Sequence, residues 1–374
     1  MKKIVLTLAT LFSTALLLSA QETGWLARLR DRMIGPNPVF DTAYVYPLRQ
    51  VWVASMAGDL ILTGLETRSD VTRQGDGSTT HLAGHLRNRW SGKVGGGLTY
   101  GPLQLVYTTE AGAPRGQRNK YSRIALVKPR FGVSFQYYTI HGHLDGTATD
   151  AEAGATSFSS QYPGEMRNVV ADAFYFFHPE HFSYTAVMGR HLIQRRSGGS
   201  WMLRAAYSQG ELRYDLRDVL VRESHDHVGR YRTGDFSLGA GYSYNWVPLH
   251  RAPHGRDTRG LRNLTLNLTA VPGVSIYNHL HSTAYVFSDP DHPVEGKTRR
   301  NHTFGLPGIT LAARAGLSFS WDRFILCSTI TYNRSSFRGI DSVNLDGQTR
   351  QRYETKTAGT FYDITARMQL NVRF

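Results

Sequence analysis

The sequence of 374 residues contains a single cysteine, Cys327, so no intrachain disulfide can hold this fold. Beyond residue 20 it has no apolar run near the roughly 18 to 20 residues that a spanning helix needs, and beyond residue 33 no helical periodicity of any length. No Gly-x-Ser-x-Gly elbow occurs, which removes the usual sequence sign of an α/β-hydrolase nucleophile. Gly95-Gly-Gly97 is followed by neither a Lys-Ser/Thr pair nor a helix, so it is no phosphate loop. It fits a kink in a strand, or the close passage of another segment. His225-Asp-His227 and His141-Gly-His143 each put two imidazoles on one side of an extended chain, but nothing nearby completes the four ligands of a structural zinc site. No metal and no other cofactor is expected.

What the chain does contain is alternation. In the last fourteen residues Tyr362, Ile364, Ala366, Met368, Leu370, Val372 and Phe374 share one face of an extended chain. Asp363, Thr365, Arg367, Gln369, Asn371 and Arg373 share the other, because successive side chains on a strand point oppositely. A strand apolar on one side, wet on the other and closed by an aromatic residue is the pattern of an outer-membrane β-barrel. The same alternation runs through Phe236, Leu238, Ala240, Tyr242, Tyr244 and Trp246, and through Ile309, Leu311, Ala313, Ala315, Leu317, Phe319 and Trp321. Twenty tyrosines and 37 glycines suit such a wall, tyrosine at the membrane interfaces and glycine where strands bend.

The N-terminus fits this address. Met1-Lys2-Lys3, an apolar run over 4–18 and the small pair Ser19-Ala20 read as a secretory signal peptide cut near Ala20. Removing Lys2 and Lys3 lowers the formal charge from +14 to about +12, still basic. That charge would attract anionic head groups or an anionic solute, or it is a mixed-charge wet surface. The interspersed acids in Arg213-Tyr-Asp-Leu-Arg-Asp218 and Arg350-Gln-Arg-Tyr-Glu-Thr-Lys356 favour the mixed surface, and no nucleic-acid partner is expected. Residues 21–48 form a periplasmic segment with a short amphipathic helix over 25–33, ended by Gly35-Pro-Asn-Pro38. The barrel follows over 49–374.

Twelve strands are expected, at 50–65, 86–100, 103–110, 119–127, 131–141, 166–177, 200–212, 234–247, 262–280, 307–320, 323–338 and 358–374, within a range of ten to fourteen. Tight links at Gly101-Pro102, Lys128-Pro-Arg130, His178-Pro-Glu-His181 and Asp322 alternate with long ones at 66–85, 142–165, 213–233, 281–306 and 339–357, as in barrels with short periplasmic turns. The link at 248–261 is long for its place in that scheme. Residues 182–200 are a surplus. They add two more strands, or they fold inward or beneath the barrel and leave twelve. Their poor alternation favours twelve.

Asp41-Thr-Ala-Tyr44-Val-Tyr-Pro47, Arg130-Phe-Gly-Val-Ser-Phe-Gln-Tyr-Tyr138, Phe182-Ser-Tyr184 and Gln194-Arg-Arg-Ser-Gly-Gly-Ser200 resemble an uncharacterised family of Gram-negative outer-membrane barrels, the domain of unknown function numbered forty-four twenty-one. The resemblance spans about 40–374. It implies the barrel and a special status for the surplus block, and no activity.

Two sets of side chains are candidate sites. His191, Arg195, Arg196 and Ser197 of the surplus block, with Arg204, Arg314 and Arg367 on wet strand faces, could line a passage or plug that favours anions by fixed charge. Equally, the lumen is laced by pairs between Arg and acids such as Asp172 and Asp363 and passes nothing. Weak catalytic candidates are His279, His281 and Ser282, with Asp289 or Asp291 as a third member. Outer-membrane lipid hydrolases pair Ser with His near the head groups, but His281 and Ser282, adjacent on a regular strand, face opposite ways. The leading expectation is a non-enzymatic outer-membrane barrel, porin-like as a narrow or plugged pore for small anionic solutes, or purely structural. The alternatives are a lipid-modifying enzyme of esterase or deacylase type and a surface-exposed binding protein. The expected partners are outer-membrane lipid, an unidentified small solute and the barrel-assembly machinery, which would read Tyr362, Met368, Leu370, Val372 and Phe374 as its signal.

Overall fold

The computed structural model describes residues 40–48, 52–73, 75, 77–87, 90–114, 117–150, 154–190, 192–218, 228–252, 258–286, 294–295, 299–301, 308–344 and 352–373. The expected signal peptide and the helix over 25–33 lie outside the described residues. Twelve strands form the wall: β1 Trp52–Arg73, β2 Ser91–Tyr100, β3 Leu103–Glu110, β4 Lys120–Val127, β5 Phe131–Asp150 and β6 Gly164–Phe176. Then come β7 Gly198–Arg213, β8 Val228–Arg251, β9 Arg262–Val286, β10 Gly308–Trp321, β11 Phe324–Asn344 and β12 Arg352–Arg373. Each pairs antiparallel with its neighbours in sequence. β12 returns to β1 from Tyr353↔Arg73 to Arg373↔Val53, so the ring of twelve strands closes on itself.

Closure matters because of what faces outward. Met56, Leu60, Leu268, Ile309 and Met368 are 73, 53, 66, 74 and 61 % exposed. In water such side chains would each forgo roughly 1.5–3 kcal/mol of burial, and a continuous belt of them exceeds what a soluble monomer shows. Lipid removes that cost. Trp201, Trp246, Trp321, Phe177, Phe131 and Phe324, all exposed, cluster where strands meet their turns at one end, as an aromatic girdle at a membrane interface does. The fold is therefore a single transmembrane antiparallel β-barrel. The end with this girdle, where β1 begins and β12 ends, is here the near end.

Near-end turns are tight. Gly101 takes a positive φ of 51° ahead of Pro102, and Asp322, at φ 50°, turns β10 into β11. The long link after β8 is fixed there too: the Asp322 carboxylate accepts from Gly260 N at 2.7 Å, while Asp322 N donates to Leu261 O at 3.0 Å.

The far end departs from expectation. Residues 66–85 are not a loop. β1 runs on to Arg73, and a strand over Thr79–Arg87 pairs with it and also with the far half of β5, from Arg87↔His143 to Thr80↔Asp150. This strand carries the wall above the short strands β2 to β4, so the expected strand at 86–100 divides, with Leu86 and Arg87 ending this strand and Ser91–Tyr100 forming β2. The outward positions Glu66, Arg68 and Asp70 are polar and exposed. Above the lipid belt both faces meet water, so backbone pairing continues without the apolar alternation that marks it in sequence.

Leu268 lies about midway along the lipid belt of β9. Arg in its place should cost about 2–4 kcal/mol of stability, read as a lower denaturant midpoint for the protein folded in lipid vesicles. An unchanged midpoint would mean that this face does not meet lipid.

Candidate functional site

The connection from β6 to β7 does not cross the wall. Residues 182–190 turn into the barrel at the near end, and Leu192–Gln194 pairs antiparallel with Val45–Pro47 as a two-stranded ribbon. Phe182, Val187 and Arg190 are each fully buried. The anchor is aromatic: Phe176 stacks on Phe182 at 5.3 Å and on Tyr184 at 5.2 Å between ring centroids, beside Phe174, Met202, Ala125 and Val127. Gly132 leaves room for the Phe174 ring. The chain then turns at Gly189, whose φ of 66° is the left-handed conformation a glycine takes freely. It lies against Cys327 of β11 and Asn371 of β12.

Polar groups from around the ring hold this plug. Asn245 of β8 donates to Ser183 O at 2.9 Å and to Gln194 Oε1 at 3.2 Å, while Gln194 donates to His181 O at 2.8 Å. The Arg190 guanidinium donates to Pro102 O at 3.0 Å and to Gln104 Oε1 at 2.7 Å. Its carbonyl accepts from Arg373 Nη2 at 3.2 Å. Burial, and then the nearby charge of Arg123, holds the Arg190 guanidinium down at about 9. Buried polar groups without such partners cost about 1–3 kcal/mol each, so these bonds fix where the plug sits.

Inside the wall lies a charged layer. Arg367 of β12 forks onto Asp59 of β1 at 2.6 and 2.8 Å, and Thr108 adds a bond to Asp59 at 2.8 Å. Arg204 of β7 pairs with Asp172 of β6 at 2.5 Å, and Gln136 reaches the same carboxylate at 3.1 Å. Asp363 accepts from Asn333 at 2.8 Å rather than from an arginine. Between this layer and the plug is a cavity of about 250 Å³ lined by Lys93, Arg123, Arg204, Arg314 and Arg367 against Asp172, Asp235 and Asp363. Farther out Ile140, Met166 and Leu212 pack with Leu65 and Phe361 from the opposite wall and narrow the lumen with apolar side chains. At the far end a second cavity of about 1050 Å³ lies against Glu66, Arg68, His85, Arg334 and Arg338, which share the outward side of the wall with Ile309.

The residues singled out from sequence are thus divided. Arg204, Arg314 and Arg367 line the inner cavity. Arg195, Arg196 and Ser197 sit at the base of the plug: Arg195 donates to His250 Nε2 at 3.2 Å and Thr42 O at 3.1 Å, Arg196 lies 5.9 Å from the Tyr44 ring centroid, and Ser197 Oγ accepts from Val247 N. His191 lies outside the described residues. His279 packs over Gly234 of β8. His281 and Ser282 pair in the backbone ladder with Arg232 and Tyr231, while their side chains, with Asp289 and Asp291, lie outside the described residues. His141 bonds Asn119 and His143 bonds Ser160 O; His225 and His227 lie outside the described residues. Among the described residues no group of three or more His, Cys, Asp or Glu could hold a metal ion. Of the C-terminal set, Met368 and Leu370 face outward; Phe374 lies outside the described residues. Gly95 and Gly97 let the β3 backbone approach closely.

Sequence reasoning missed Asp59, Arg123, Tyr184 and Arg190. Asp59 carried a signal: it is a charge in the wet set of β1 and stands directly opposite Arg367 in the closing register.

Residues 65–255 match the model of a domain of unknown function, DUF4421. No curated relative matches the sequence. Among solved structures, the outer membrane protease OmpT from Escherichia coli aligns at a TM-score of 0.47 and 10 % identity, over 88 % of this chain and 99 % of that one. The P. putida toluene transporter TodX aligns at a TM-score of 0.20 and 8 % identity, over 92 % and 97 %. The barrel assignment rests on the closed ring and its apolar belt.

Asp59→Asn removes one partner of a buried pair, for which about 3–5 kcal/mol is the usual loss. The denaturant midpoint of the protein refolded in detergent should fall accordingly. A fall within error of zero would show that Arg367 finds an equivalent partner elsewhere.

Proposed function

The chain belongs to the DUF4421 family, which brings no activity with it, and from the lumen itself we propose that this protein is a non-enzymatic outer-membrane barrel whose interior is a plugged passage for small anionic solutes. One observation carries the reading: a segment that is no part of the wall closes the near end, and directly against it lies a cavity with more cationic than acidic side chains. Fixed positive charge in a narrow lumen favours anions over cations. The near end is then the periplasmic one. The far end, beyond Leu65 and Phe361, is the mouth from which a solute enters.

The same reading covers biogenesis. Signal cleavage near Ala20 exports the chain, and the assembly machinery inserts it through the C-terminal strand, whose Met368 and Leu370 face lipid. The fixed pairs Arg367–Asp59 and Arg204–Asp172 stiffen the wall, and the plug sets how much of the lumen is left open.

Single-channel conductance of the refolded protein in a planar bilayer tests this, with and without residues 183–199. Small steps in the intact protein, larger in the deletion and anion-selective by reversal potential, are expected. Silence from both forms, each shown to be folded by heat-modifiable migration, would sink the passage.

A further inference from the structure

Arg314, on the wet face of β10, is 7 % exposed. Its Nε, Nη1 and Nη2 are all buried with no hydrogen-bond partner, and it makes no ion pair among the described residues. The guanidinium lies 4.2 Å from the centroid of the Tyr184 ring on the plug. That contact meets part of the charge and leaves the N–H donors without an acceptor. Both residues line the inner cavity, together with Arg123 of β4, whose Nε is likewise buried without a partner. Three other arginines here are committed, Arg367 to Asp59, Arg204 to Asp172 and Arg190 to Pro102 O and Gln104, while Asp363 and Asp235 bond to Asn333 and Ser275.

A buried guanidinium is costly unless its charge and donors are met. Among the described residues nothing meets its donors, and the residue lines the cavity, where a partner can reach it. A group carrying negative charge and at least two oxygens would satisfy both needs through the planar fork. The space of about 250 Å³ holds a small solute rather than a lipid head group with its chains. We propose that Arg314, with Arg123 across the cavity and Tyr184 as its floor, forms a binding site for a small oxyanion, a carboxylate or a phosphate, reached from the far end of the lumen past Leu65 and Phe361. The site deepens the passage reading, because it gives the lumen a place where the solute stops against the plug.

The test uses the complete mature chain refolded in detergent, titrated calorimetrically with inorganic phosphate and with acetate, chloride serving as an anion that cannot engage a fork. Saturable binding of phosphate or acetate is expected, with chloride weaker. Which of the two binds more tightly tells a tetrahedral from a planar ligand. Arg314→Met should weaken binding at least tenfold, Arg314→Lys less, and Arg68→Gln on the outward face of β1 by less than twofold. Without any probe, Arg314→Met should unfold at the same temperature as the parent or higher, because an unmatched buried charge is gone; added phosphate should then raise the transition of the parent alone. Should Arg314→Met not refold, Arg123→Met reads the same site from β4 and should also weaken binding. No saturable binding up to tens of millimolar, or equal affinity in the parent and the Arg314 and Arg123 variants, overturns the site. Conductance and binding fail separately: a barrel that binds but never conducts loses the passage and keeps the site, and one that conducts but binds nothing loses the site alone.

Discussion

A chain that crosses lipid as strands must satisfy every backbone N–H and C=O within itself, since hydrocarbon offers no partner. Everything else in this molecule depends on the seam that meets this demand, where β12 pairs with β1 from Tyr353↔Arg73 to Arg373↔Val53. Because side chains alternate along each strand, closing the ring fixes at once which residues meet lipid and which meet the lumen. A slip of one residue at the seam would turn Arg367 to lipid and Met368 inward, and would part Arg367 from Asp59. The ion pair across the seam therefore belongs to the same constraint as the backbone register, and it rewards one register only.

Closure also creates the interior problem. A ring of twelve strands encloses more space than its inward side chains fill unaided, and charged groups there are screened less than in water. Three layers answer it: aromatic packing around Phe174, Phe176 and Phe182 at the near end, the charged layer of Asp59, Asp172, Arg204 and Arg367, and apolar contacts from Leu65 and Phe361 to Met166 and Leu212 farther out. The plug supplies what the wall cannot. Its Ser183 and Arg190 carbonyls and its Gln194 side chain meet donors from β8 and β12, so a backbone segment lies in the lumen with its polar groups paired.

What was legible in the sequence follows from where lipid acts. Within the belt the outward set of the strands is predominantly apolar, so all twelve strands and the turns at Gly101-Pro102 and Asp322 could be read, while the poor alternation of the surplus block favoured its staying out of the wall without saying whether it lay inside or beneath the barrel. Above the belt, Glu66, Arg68 and Asp70 face water, so the continued wall and the strand over Thr79–Arg87 carried no periodicity to read. The family resemblance read from motifs such as Phe182-Ser-Tyr184 agrees with the family match over 65–255. The charged layer was half legible. Arg204, Arg314 and Arg367 stood out as charges on wet faces, but their partners depend on strand order around the ring, which one strand's pattern does not contain. Arg190 and Tyr184 lie in a segment without alternation, where sequence offers no face to assign.

The contrast between paired and unpaired arginines then separates structure from function in the lumen. Arg367 and Arg204 each lie within 3 Å of a carboxylate and stiffen the seam and the β6–β7 wall. Arg314 stands at comparable depth with an aromatic ring in place of a carboxylate. A wall selected only for rigidity would gain by replacing such a residue with an apolar one of similar volume, since an unmatched buried charge detracts from folding. Keeping a cation against the plug instead makes sense where its counter-charge arrives from outside, and that asymmetry is what distinguishes a passage from a strut.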